Sequence, residues 1–104
     1  MIVIDAIRTP FCKMGTDLAP LTAADLGRHA VVSLLASTGV DPDEISEVIF
    51  GCVGQPADAA NLARVIALRS GIPAHVPAST VHRNCASGLE AISTAVERVA
   101  AGHG

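Results

Sequence analysis

Three short runs rich in β-branched residues, each followed by a stretch of helical period, constrain this chain more than any other feature. They are "IVID" at residues 2–5, "EVIFGCV" at about 47–53 and "VPASTV" at 76–81. The segment after the first run is broken by Pro10, Gly15 and Pro20 into a loop. Thr22 then offers an N-cap hydroxyl, with Leu21 and Leu26 placed to form a hydrophobic staple. Positions 26, 30, 31, 34 and 35 make one apolar helical face, and Gly39 supplies a left-handed stop. Asp41, Pro42 and Glu44 read as a second, brief cap ahead of the middle run.

A second helix is predicted over about 58–70, with Leu62, Val65, Ile66 and Arg69 at helical spacing and Gly71 and Pro73 ending it. A third is predicted from Asn84 onward, because Cys85, Leu89, Ile92, Val96 and Val99 recur every three or four residues. That places Cys85 in the first turn. Strand, helix, strand, helix, strand, helix is the pattern of a parallel sheet covered by helices. Three strands leave a sheet edge open and one face thinly covered. With the ending "VAAGHG", this predicts that residues 1–104 are part of a larger α/β body.

Composition narrows the function classes. The formal net charge is −3, aromatic residues are 2% of the chain, and Trp and Tyr are absent. Neither a basic groove nor a base-stacking platform can be built from that, which argues against nucleic acid as a partner. The first ten residues meet Asp5 after four apolar ones with no basic flank, unlike a secretory signal. No apolar run reaches the length a membrane span needs. Cysteines at 12, 52 and 85 are odd in number and widely spaced, which fits a reducing cytoplasm better than a disulfide framework.

Cys85 holds the chemical interest. A thiol reacts as the thiolate, and a helix N-terminus, with its unpaired amides and the positive end of the helix dipole, favours an anion there. The same amides can receive charge that develops on a substrate oxygen, and Ala86 and Gly88 keep the turn small enough for a carbonyl to approach. The competing reading is a small buried hydrophobe on an apolar stripe. A phosphatase loop would need Arg at position 91, which is Ala, and a redox pair would need Cys at position 88, which is Gly. His82 and Cys85 are three apart, but two further ligands for a structural zinc are missing nearby, so no metal site is assigned.

"VHRNCASGLEAI" resembles the segment around the acylated cysteine of thiolases, the acetyl-CoA acetyltransferases and 3-ketoacyl-CoA thiolases. "IVIDAIRTPFCK", "DEISEVIFGCVGQ" and "NLARVIALRSGIP" resemble further segments of that family in the same order, across nearly the whole chain. The resemblance implies a layered α/β/α/β/α fold, of which residues 1–104 would hold the first three strand-helix units of the N-terminal domain. It implies Claisen chemistry on coenzyme A thioesters in fatty acid metabolism, with Cys85 taking the acyl group as a thioester and no cofactor beyond the substrates. It also implies a homodimer or homotetramer.

Several positions depart from the family pattern. His82 stands where Asn is usual and is expected to be a neutral packing histidine. Cys12 stands where Gly is common and is expected to be a tolerated loop thiol, and Cys52, inside a strand run, is expected in the core. The family's Gly-His-Pro, Cys-x-Gly and Asn-Glu segments have no counterpart here, and His29, His75 and His103 lack that context. Residues 1–104 alone are therefore expected not to turn over. Asn61 and Arg64 are expected to act as a cap or interface pair, Ser87 as a capping hydroxyl, and Glu90, Glu97 and Arg98 as solvated positions. The alternatives are a 3-ketoacyl-carrier-protein synthase-like condensing enzyme and a noncatalytic interaction fragment.

Overall fold

The computed structural model describes residues 1–104. In chain order the elements are α1 (Ala23–Thr38), a short 3-10 turn (Pro42–Glu44), β1 (Val48–Gly51), α2 (Leu62–Arg69), β2 (Ala78–Val81) and α3 (Ser87–Ala100). β1 and β2 pair in parallel, with Val48 opposite Ala78 and Gly51 opposite Val81. α2 is the crossover between them, as a parallel pair requires.

Alternation along the strands sorts the helices into layers. Val48 packs with Ala63, Ala67, Ile72 and Val76, and Phe50 joins Ala24, Ala59, Leu62 and Ile66, so this face carries α1 and α2. Gly51, on the opposite face, meets the first turn of α3. The buried core is built from small side chains, of which Ile66 and Val76 are the largest fully enclosed. Close approach follows from this: a Cβ on Gly27 of α1 would overlap Ile66 Cδ1 and lie 2.9 Å from its Cγ1.

The helix ends follow the capping residues. Thr22 and Asp25 form a reciprocal capping box, the Asp25 amide donating to Thr22 Oγ1 at 3.1 Å and the Thr22 amide to Asp25 Oδ2 at 2.9 Å. The bond from the Thr22 amide, and then the Thr22 hydroxyl, hold the Asp25 carboxyl below its ordinary range. Gly39 closes α1 at φ 71°, and Asp41 caps the 3-10 turn through the Asp43 amide. Arg28 Nε reaches the carbonyl of Arg69 at 3.0 Å and ties α1 to the end of α2.

Two expectations are corrected. Residues 2–5 form no strand, so the sheet has two strands and the chain two strand-helix units after a leading helix, rather than three. Ile2, Val3 and Ile4 are 86%, 71% and 80% exposed, beside an apolar groove lined by Leu34, Leu35, Ile45 and Ile92. A strand needs a ladder for its backbone, and here the run lines the groove without pairing to β1 or β2. The periodic stripe of α3 also faces away from the sheet. Leu89, Ile92, Val96 and Val99 are 39–67% exposed, and the helix packs inward through Ser87 and Ala91.

The surface totals 6909 Å², against roughly 5,500 Å² for a compact monomer of 10.6 kDa. The excess is consistent with the open apolar face of α3 and the extended N-terminal segment. No helix is long and apolar enough to cross a membrane.

Candidate active site

Cys85 sits where β2 hands over to α3, in a turn over residues 82–86, and is exposed. It precedes the helix rather than occupying its first turn, because Asn84 adopts φ 48° and breaks the helical run. Asn84 is the one residue other than glycine at positive φ, a conformation that Asn tolerates better than most. The turn closes through Ala86 N–H to the Arg83 carbonyl at 3.0 Å and Ser87 N–H to the Asn84 carbonyl at 3.1 Å.

Ser87 fastens this turn from inside. It is the one buried polar residue, at 4% exposure, and its Oγ accepts from the Arg83 amide at 2.9 Å while donating to the Asn84 carbonyl at 2.6 Å. It therefore bonds back into the turn instead of capping α3, whose N-cap, Ala86, offers no side-chain acceptor. The amides of Cys85, Gly88 and Leu89 find no acceptor within the chain. Donors left in this way at a helix N-terminus are available to an incoming oxygen.

The flanking side chains differ in part from expectation. His82 is exposed rather than packed, with Nε2 3.2 Å from Asn84 Oδ1. Glu90 is paired with Arg83 at 2.9 Å, and the exposure of both limits that pair to about 1 kcal/mol or less. Arg98 approaches Glu47 at 3.9 Å. Cys52 lies just past the end of β1, half-buried, and its thiol donates to the Gly54 carbonyl at 2.7 Å. Cys12 is exposed in the N-terminal loop.

Asn61 caps α2 through the Arg64 amide at 3.3 Å, while its Nδ2 donates to the Ala78 carbonyl and its Oδ1 accepts from Thr80 Oγ1. Thr80 Oγ1 in turn accepts from the Ala63 amide, and Arg64 Nη1 reaches the Val76 carbonyl. Both polar residues thus anchor α2 to β2 and its approach. His29, His75 and His103 are exposed on other elements. Nowhere do three His, Cys, Asp or Glu side chains gather closely enough to hold a metal ion.

Gly51 is the residue that sequence reasoning missed. A Cβ there would overlap the Ser87 carbonyl group and lie 2.7 Å from the Gly88 nitrogen, so only glycine lets β1 approach the start of α3 this closely. A glycine inside a strand-like run is the available signal for such an approach. Three clefts of about 350, 530 and 570 Å³ open elsewhere, and no residue of the Cys85 turn lines them.

A family model described as "Thiolase, N-terminal domain" matches residues 1–104. The chain belongs to the thiolase family. It is 42% identical over 100 residues to a 3-ketoacyl-CoA thiolase of Serratia proteamaculans, covering 96% of this chain and 23% of that protein. It is 38% identical over 102 residues to an acetyl-CoA acetyltransferase of Cupriavidus necator, covering 98% and 26%. Thus this thiolase chain spans about a quarter of the length of these curated relatives.

Solved thiolases share the fold. The crystal structure of the Bacillus anthracis acetyl-CoA acetyltransferase superposes with a TM-score of 0.74 at 36% identity, over 79% of this chain and 21% of that one. Human mitochondrial 3-ketoacyl-CoA thiolase, solved in complex with CoA, gives 0.75 at 38% identity over the same shares. This confirms the α/β assignment for the thiolase chain as a thiolase-like fold.

Proposed function

We propose that this chain carries the nucleophile of a thiolase acting on coenzyme A thioesters, and that Cys85 is that nucleophile. The observation that carries the reading is the uncapped start of α3, where an exposed thiol stands beside amides that donate to nothing in the chain. In the proposed reaction Cys85 Sγ attacks the thioester carbonyl, the oxyanion accepts from the free amide of Cys85, and coenzyme A leaves. In condensation the acyl group then passes from Sγ to the carbanion of a second acetyl-CoA. In thiolysis Sγ instead attacks the 3-keto carbon of a 3-ketoacyl-CoA, the bond between C2 and C3 breaks, acetyl-CoA leaves, and coenzyme A takes the acyl group from Sγ. The general base for these steps is assigned to no residue of this chain.

The reading extends to a homodimer or homotetramer, to fatty acid metabolism, to coenzyme A thioesters as substrates with no further cofactor, and to the cytoplasm. The three free cysteines support a reducing compartment. The test is a hybrid in which residues 1–104 replace the matching segment of the Cupriavidus necator acetyl-CoA acetyltransferase. After brief exposure to acetyl-CoA and acid quench, peptide mass mapping is expected to place the acetyl group on Cys85 and leave Cys12 and Cys52 free. A folded hybrid that turns over while Cys85 stays unmodified would refute the assignment.

A further inference from the structure

We infer that Ser87 is a positioning residue for acyl transfer: its buried hydroxyl locks Asn84 in the left-handed conformation that holds Cys85 outside the helix, with its amide and thiol both open to substrate. The inference rests on the reading of Cys85 as nucleophile and assigns a second residue to that site. Ser87 Oγ bonds both sides of Asn84, accepting from the amide of the residue before it and donating to its own carbonyl. A hydroxyl is the side-chain group that can do both at once in so small a space.

Of the side chains around Asn84, which stands at φ 48°, Ser87 is the one that bonds the backbone on both sides of it. Were Asn84 to relax to a helical φ, α3 would extend backward over Asn84 and Cys85. The Cys85 amide would then point along the helix axis, and the orientation of the thiol would follow a different turn. Strain of this kind persists only where its surroundings over-determine it. Here the surroundings are Ser87 from within and the contact of Gly51 with the Ser87 carbonyl from below. His82 Nε2, 3.2 Å from Asn84 Oδ1, adds a contact from the solvent side.

Two measurements test this. In the 104-residue chain, Ser87→Ala is expected to move the three-bond HN–Hα coupling of Asn84 out of the left-handed range and to speed exchange of the Arg83 amide, which loses its acceptor. In the hybrid, the same change is expected to lower kcat by about 10²-fold while KM moves little, the mark of a misaligned nucleophile rather than lost substrate binding. Ser87→Thr, which keeps the hydroxyl, recovers most of the loss.

A pair of changes at the exposed Asn84 keeps the test independent of core folding. Asn84→Gly reaches positive φ freely and retains kcat within a few fold, whereas Asn84→Val cannot and loses as much as Ser87→Ala. Equal kcat for the Gly and Val variants, or an Asn84 coupling unchanged in Ser87→Ala, overturns the inference. The coupling is read on unreacted chain, so a hybrid that never acylates Cys85 sinks the nucleophile reading, while an unchanged Asn84 coupling in Ser87→Ala sinks the role of Ser87 whatever the hybrid does.

Discussion

Replacing Cys85 with Ser in the hybrid is expected to reduce acetyl transfer by on the order of 10³-fold or more, equivalent to roughly 4 kcal/mol of lost transition-state stabilisation. The oxygen of serine fits the space of the sulfur, so the turn over residues 82–86 and its internal bonds remain. What changes is the attacking atom. An alcohol is far less acidic than a thiol, so near neutral pH it stays protonated and is a far weaker nucleophile than a thiolate. The loss is therefore expected in kcat, with the unfolding midpoint in urea unchanged within error. Equal loss from Cys52→Ser would point to a different nucleophile, because Cys52 is half-buried and its thiol is already committed to the Gly54 carbonyl.

Gly51→Ala is expected to act on both stability and chemistry. The added methyl would meet the Ser87 carbonyl and the Gly88 nitrogen, which are backbone atoms and cannot rotate away. Relief requires α3 to lift from β1, and overpacking of this kind costs about 1–3 kcal/mol or somewhat more. The lifted segment includes Ser87 and the Cys85 turn that Ser87 fastens. A displacement of about 1 Å at a reacting group can cost 10²-fold in rate, so kcat in the hybrid is expected to fall by at least that much. Urea unfolding reports the first effect and steady-state kinetics the second. A variant with native stability and native kcat would show that the β1–α3 contact does not set the position of Cys85.

Much of this was legible in the chain because local chemistry decided it. Thr22 and Gly39 bound α1, Asn61 caps α2, and the parallel pairing of β1 with β2 follows from the strand-helix alternation. The family segments that frame Cys85 agree with the matching family model. Where the reading failed, the deciding term was non-local. The apolar period of Leu89, Ile92, Val96 and Val99 announces a helix but cannot say which of two faces meets the sheet; Ser87 and Ala91 win because small residues allow the approach of Gly51.

The run at residues 2–5 has the composition of a strand, but pairing depends on an available edge and not on β-branching. The offset of Cys85 from α3 was hidden in a single dihedral. Asn84 was present to suggest it, since Asn is the residue other than glycine that most readily turns left-handed. The buried hydroxyl that holds it there could be assigned only once Arg83, Asn84 and Ser87 were seen in one turn.

The central claim, that an acyl group rests on Cys85 between substrates, is tested most directly by a rapid-quench pulse and chase on the hybrid. Labelled acetyl-CoA loads Cys85, excess coenzyme A is added, and the decay of acetyl-Cys85 is timed against turnover. The account predicts decay at least as fast as kcat, with the label released as acetyl-CoA. A thioester on Cys85 that decays more slowly than the enzyme turns over would be a side product, and the nucleophile would have to be sought elsewhere.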